Sequence, residues 1–158
     1  MFEKFGNMDY EELIQTAANE LAEGDEEAII ALAVENGLDK EDAEDFIDGM
    51  ADVLCTPGMA AIAKIELEAK EIKMDGIWGD WKGILLEMSS KDKELAIGIR
   101  KKSKSLVEAM AKILKLGFDS KAQVDSKICK AAGLRTDIYI GVPTKKQIMD
   151  CLEEYYKK

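Results

Sequence analysis

Ile77-Trp78-Gly79-Asp80-Trp81-Lys82-Gly83-Ile84-Leu85-Leu86-Glu87-Met88 is the stretch that decides the fold. Ile77, Trp78, Trp81, Ile84, Leu85 and Met88 recur at helical spacing and share one face, while Asp80, Lys82 and Glu87 fall elsewhere. That pattern reads as an amphipathic helix with a broad aromatic and aliphatic stripe, the anchor of a helical core.

Outward from it, most of the chain repeats the helical period. Asp75-Gly76 precedes it, and before that residues 59–73 form a longer helix with Ile62, Ile65, Ala69 and Ile72 inward. Thr56-Pro57-Gly58 is the clearest break in the chain and marks a boundary. Three short helices are expected ahead of it. In the first, capped by Asp9, the residues Tyr10, Leu13, Ile14, Ala17 and Leu21 share a face up to Gly24. In the second, capped by Asp25, Ile29, Leu32 and Ala33 point inward up to Asn36-Gly37. In the third, capped by Asp39, the inward stripe is Ala43, Phe46, Ile47 and Met50. Helices this short need tertiary packing.

Beyond the anchor, Ser90 caps a turn or two through Leu95 and Ile99. Arg100-Lys101-Lys102-Ser103-Lys104 reads as a basic linker. Ser105 and Glu108 have the spacing of a capping box, starting a helix with Leu106, Ala109, Met110, Ile113 and Leu114 inward and Gly117 at its end. Another helix is expected over residues 120–132. Ile138-Tyr139-Ile140-Gly141-Val142 is β-branched and short, the one strand-like segment, and one strand needs a partner. Thr144 and Gln147 open the last helix, with Ile148, Leu152 and Tyr155 inward. The expected fold is therefore mainly α, with seven to eight helices and one short β segment near residues 138–142. Its expected organisation is an acidic helical module at 1–55 and a helical core at 56–158.

Charge supports that division. Residues 1–54 hold 17 acidic and 2 basic side chains, a net of −15, whereas residues 91–158 hold 9 acidic and 16 basic, a net of +7. Such asymmetry points to an interaction protein, or to pairing between the two ends of one chain or of two copies in a homodimer. The acids Glu41, Asp42, Glu44, Asp45 and Asp48 crowd the third helix and are the candidate acidic contact surface. Arg100, Lys101, Lys102 and Lys104 are the candidate basic contact. The basic cluster has no interleaved aromatic residues for base stacking, and a chain of net −10 is repelled by DNA at long range, so direct nucleic-acid binding ranks below a protein partner.

Enzyme chemistry finds no support. The chain contains no histidine, which removes imidazole-assisted nucleophiles and the histidine-containing zinc sites. The three cysteines, Cys55, Cys129 and Cys151, make no C-x-x-C pair and read as free thiols of a reducing compartment. No phosphate-cradling glycine loop occurs. A calcium loop starting at Asp39 would need an oxygen ligand at its fifth position and glycine at its sixth, where Ala43 and Glu44 stand; one starting at Asp42 meets Phe46 at its fifth. A binding protein with no cofactor and no metal is expected. With no long apolar run and no signal-like start in Met1-Phe2-Glu3-Lys4-Phe5-Gly6, the expected location is cytoplasmic.

The back portion also carries a resemblance. Its marks are Ala61-Ile62-Ala63-Lys64-Ile65-Glu66-Leu67-Glu68-Ala69, the helix at 77–88, the segment 91–99, Lys104-Ser105-Leu106-Val107-Glu108-Ala109-Met110, the extended segment 138–142, Pro143-Thr144, and a helix ending in Tyr155-Tyr156. Over residues ~59–158 this order resembles the PcfK-like proteins of bacterial mobile elements, a family that includes an anti-CRISPR inhibitor of Cas9. The chain departs from that pattern in Lys145-Lys146 after the capping threonine and in the inserted residues 120–133. The resemblance implies inhibition by binding, with a Cas nuclease–guide RNA complex as partner. The alternative is an accessory protein of a plasmid or conjugative element that binds DNA or a partner protein through its basic half.

Overall fold

A computed structural model describes residues 5–158; residues 1–4, part of the start read above for a leader, lie outside the described residues. The fold is mainly helical, with nine helices among the described residues: α1 (Tyr10–Glu23), α2 (Glu26–Glu35), α3 (Lys40–Ile47), α4 (Pro57–Ala69), α5 (Ile77–Lys91), α6 (Lys93–Arg100), α7 (Leu106–Asp119), α8 (Ser126–Ala131) and α9 (Lys145–Lys157). Two short strands, β1 (Ala122–Gln123) and β2 (Tyr139–Ile140), complete it.

The side chains sort into two cores. Leu13, Ile29, Leu32, Phe46 and Leu54 form the front one, from α1, α2, α3 and the loop after α3. Trp81, Leu85, Leu95, Ile99, Leu106, Ile113, Leu152 and Tyr156 form the back one. Helix α4 belongs to both: Ala60 and Ala63 face the front core, while Ala61 and Ile65 face the back. The expected boundary at residue 55 thus falls at the start of a helix that serves both cores. Alanines suit that place because they let helices approach from two sides. At the back, α6 packs on α4, α5 and α9. A Cβ added at Gly98 of α6 would collide with the Tyr156 backbone of α9, so this crossing needs glycine.

Several helix starts are as the sequence predicts. Ala28 N–H donates to Asp25 Oδ1 at 2.9 Å, and Thr144 and Gln147 exchange their capping hydrogen bonds. Others differ. Helix α4 starts at Pro57, two residues earlier than expected, because Thr56 caps it and proline suits the first helical position. Asp92, not Ser90, caps α6, accepting from Leu95 N–H at 3.0 Å. Leu21, Met50, Ile62 and Leu114, expected inward, are exposed. Met50 is 80% exposed because α3 ends at Ile47 and the chain turns through Gly49 at φ 74°, so the helical stripe does not reach it.

The largest correction concerns residues 120–132, which are not one helix. Residues 122–123 are the strand that pairs with 139–140, antiparallel, Ala122 opposite Ile140 and Gln123 opposite Tyr139. Helix α8 begins only at Ser126, where Lys127 N–H donates to Asp125 Oδ1 at 2.8 Å.

Candidate functional site

The acidic residues of the front sit on α1, α2 and α3, the last of which takes no side-chain cap from Asp39, contrary to the sequence reading. On α3, Glu41 and Asp45 are exposed, Asp42 and Glu44 are half-buried, and Asp48 is the exposed C-terminal cap. Phe46 and Ala43 turn the opposite side of the helix into the front core. Glu44 pairs with Lys40 at 2.6 Å, one turn back, and this carboxylate raises the Lys40 pKa above its usual value. Glu41, Asp42, Asp45 and Asp48 form no ion pair among the described residues. The helix thus presents carboxylates of one sign to solvent, held by packing from behind.

The basic cluster loses one of its four members to the interior. Arg100 is 1% exposed and lies inside the molecule, a correction to its reading as part of an exposed linker. Its Nε donates to Met8 O at 2.9 Å, and its Nη1 to Asn36 O and Ala60 O, each at 3.4 Å. Its Nη2 donates to Asn36 Oδ1. Burial lowers the guanidinium pKa from its ordinary value. Helix α6 carries apolar Leu95, Ala96 and Ile99 into the core, and Arg100 at its end follows them in.

Lys101 and Lys104 contribute through their backbones. Their carbonyls accept from Lys64 Nζ at 2.6 and 2.8 Å. Lys64 is 3% exposed, and burial lowers its pKa despite Glu68 at 3.8 Å. The Lys104 amine lies 4.7 Å from the Tyr155 ring centroid. Lys102 crosses to α1: its N–H donates to Asp9 Oδ1 at 2.6 Å and its Nζ to Glu12 Oε1 at 2.8 Å. That hydrogen bond holds the Glu12 carboxyl below the usual carboxylate range. Among the described residues this is the one ion pair joining residues 5–54 to the basic back half.

Sequence reasoning missed Lys64 and Asn36. Each carried a faint signal: a lysine within the alanine-rich run of α4, and an asparagine where α2 meets glycine. The Asn36 Nδ2 donates to Leu32 O at 2.9 Å, which turns its oxygen toward Arg100.

An open groove of about 700 Å³ runs between α7 and α9, with Lys104, Lys112, Lys115 and Lys158 along it and Cys151 and Tyr155 among its walls. Lys115 and Lys158 are paired with Asp119 and Glu154, so the groove is mixed in charge. Among the described residues no group of three or more Cys, Asp or Glu could hold a metal ion. The cysteines are free thiols; burial pushes Cys55 up to about 12, far from a reactive thiolate. Among the described residues no helix is long and apolar enough to cross a membrane.

No family model, no curated protein and no solved structure matches the chain.

Proposed function

We propose that this protein binds an RNA-guided Cas nuclease, Cas9 above all, and inhibits it by seating its acidic front on a basic nucleic-acid-binding surface of the nuclease–guide RNA complex. Such nucleases hold nucleic acid in positively charged channels and read the flanking motif with arginines. The carrying observation is the uncancelled charge of α3. Glu41, Asp42, Asp45 and Asp48 are without ion partners among the described residues, although the same chain has 22 cationic side chains. A rigid array of carboxylates offers a basic channel what a phosphate backbone offers it, and water already solvates it in the free protein. The family resemblance of residues ~59–158, which does not reach α3, supports a Cas nuclease as the target but not the choice of surface.

The test is a DNA-cleavage assay with Cas9 and guide RNA, with binding followed in parallel by pull-down. The wild-type chain is expected to block cleavage and the Glu41→Lys/Asp42→Lys/Asp45→Lys/Asp48→Lys variant to leave it running. Equal inhibition by wild type and variant would sink the acidic-surface mechanism.

The alternative reading, an accessory protein of a mobile element that binds DNA through its basic half, draws support from Lys104 and Lys112, which form no ion pair among the described residues in the groove between α7 and α9. A gel-shift of labelled duplex DNA by the full chain separates the two. A salt-sensitive shift lost in Lys104→Glu/Lys112→Glu favours the accessory protein.

A further inference from the structure

Residues 121–143, which carry β1, α8 and β2, form an arm whose only buried residues are Cys129 and Pro143. Its root is a backbone contact: a Cβ added at Gly141 would run into the Gly117 carbonyl of α7. Beyond that root Ile128, Leu134, Tyr139, Ile140 and Val142 are between 47% and 62% exposed. Two strands of two residues each cannot stabilise themselves, and this much exposed aliphatic and aromatic surface on a small arm marks a contact. The arm holds four cations, Lys121, Lys127, Lys130 and Arg135, against Asp125 and Asp137. None of those cations enters an ion pair among the described residues.

An occupant must therefore bring apolar groups ringed by negative charge. The front of this same chain does so. Met50 and Val53 are exposed on the turn after α3, and Asp45, Asp48 and Asp52 neighbour them along the chain without ion partners among the described residues. Within one chain no hydrogen bond or ion pair joins the arm to the described front residues. We propose that the arm of one copy docks on the Met50 surface of a second copy, aliphatic side chains together and the arm's cations facing Asp45, Asp48 and Asp52. The two surfaces differ, so the contact is head-to-tail and can be repeated. A nucleic acid suits the arm less well: Ile128, Ile140 and Val142 have no use on phosphates, the Lys121 amine lies 3.9 Å from the Phe118 ring centroid, and the chain's net charge is −10.

The test is the mass of the full chain in solution, by light scattering after size exclusion, from micromolar to millimolar concentration. Wild type is expected to gain mass with concentration and lose it in high salt. The arm variant Lys130→Glu/Arg135→Glu and the front variant Asp48→Lys/Asp52→Lys are each expected to associate about tenfold more weakly or worse. Their equimolar mixture regains association, because the intact arm of one meets the intact front of the other and the two altered surfaces are again opposite in charge. Circular dichroism melts matching wild type exclude misfolding as the cause. A wild-type chain monomeric at every concentration overturns the proposal, as does association that survives both variants. Salt-sensitive binding of a labelled single-stranded oligonucleotide by a monomeric wild type, lost in the arm variant, also overturns it and assigns the arm to phosphate.

Discussion

Arg100 donates through Nη2 to the side-chain oxygen of Asn36, 64 residues earlier in the chain, and each residue is 1% exposed. The pair ties the end of α6 to the end of α2, and so the back core to the front. A buried guanidinium needs its donors satisfied, since desolvation costs it whether or not partners are present.

Asn36→Leu removes the acceptor and keeps the bulk. It is expected to cost about 1–3 kcal/mol, because Nη2 of the buried guanidinium loses its acceptor while Nε and Nη1 keep their backbone carbonyls. Adding Arg100→Met recovers part of that loss, since the charge that needed the acceptor is gone and the chain length is kept. Urea denaturation of the two single variants and the double variant measures the coupling. A cost below about 1 kcal/mol for Asn36→Leu would mean that water reaches the guanidinium.

Cys55 sets an alkaline limit. Its thiol is buried, and burial raises its folded-state pKa from 9.0 to about 12. The unfolded chain loses this proton near pH 9 while the folded chain keeps it, so the folded state binds more protons between those values. Stability from this group is full below pH 9 and is lost as pH rises toward 12, at most about 4 kcal/mol in all. Cys55→Ala is expected to lower stability at pH 7 through lost packing but to flatten the decline above pH 9. Thermal melts of both proteins from pH 7 to 11 show whether the two curves converge.

Gly141 and Gly117 meet backbone to backbone at the root of the arm. Gly141→Ala places a methyl group against a carbonyl that cannot swing aside, at an expected cost of about 1–3 kcal/mol. The strain falls at the junction, so the arm should loosen before the cores do. Hydrogen exchange is expected to rise at Val124, whose N–H donates to Ile138 O at 2.8 Å, and to stay unchanged in α4 and α6. Uniform acceleration across the chain would show instead that the junction supports the whole fold.

What was legible in the sequence is what neighbours along the chain decide. Asp25, Thr144 and Gln147 cap their own helices, and the stripe of α5 enters the core through Trp81, Leu85 and Met88. What was not legible depends on distant partners. The spacing of Ser105 and Glu108 predicts a capping box, and Ser105 does accept from Glu108 N–H. The return bond is different. Ser105 N–H donates to the Tyr155 hydroxyl at 2.9 Å, and that hydroxyl donates to Glu108 Oε2 at 2.6 Å. A tyrosine 47 residues away has entered the box. The basic run at 100–104 is depleted for the same reason: Asn36 holds Arg100 in the interior and Glu12 pairs with Lys102, roles that no local spacing encodes. Glu41, Asp45 and Asp48 are exposed as their residue type leads one to expect, whereas Asp42 is half-buried and Glu44 is paired with Lys40.

Those acids permit a separation of function from stability. Glu41 and Asp42 lie in the first turn of α3, where the helix dipole favours negative charge; Asp45 and Asp48 lie at its last turn and cap, where it favours positive charge. Reversing the second pair should therefore help the helix. Asp45→Lys/Asp48→Lys is expected to raise stability by about 0.3–1 kcal/mol per site through the dipole. Glu41→Lys/Asp42→Lys should lower it by a similar amount. If the acidic surface is what a nuclease recognises, both pairs weaken inhibition although they move stability in opposite directions. Denaturation midpoints set beside cleavage assays of the two variants decide the matter. Inhibition that follows stability, stronger in Asp45→Lys/Asp48→Lys and weaker in Glu41→Lys/Asp42→Lys, would mean that the charges act through the fold and that the contact lies elsewhere on the molecule.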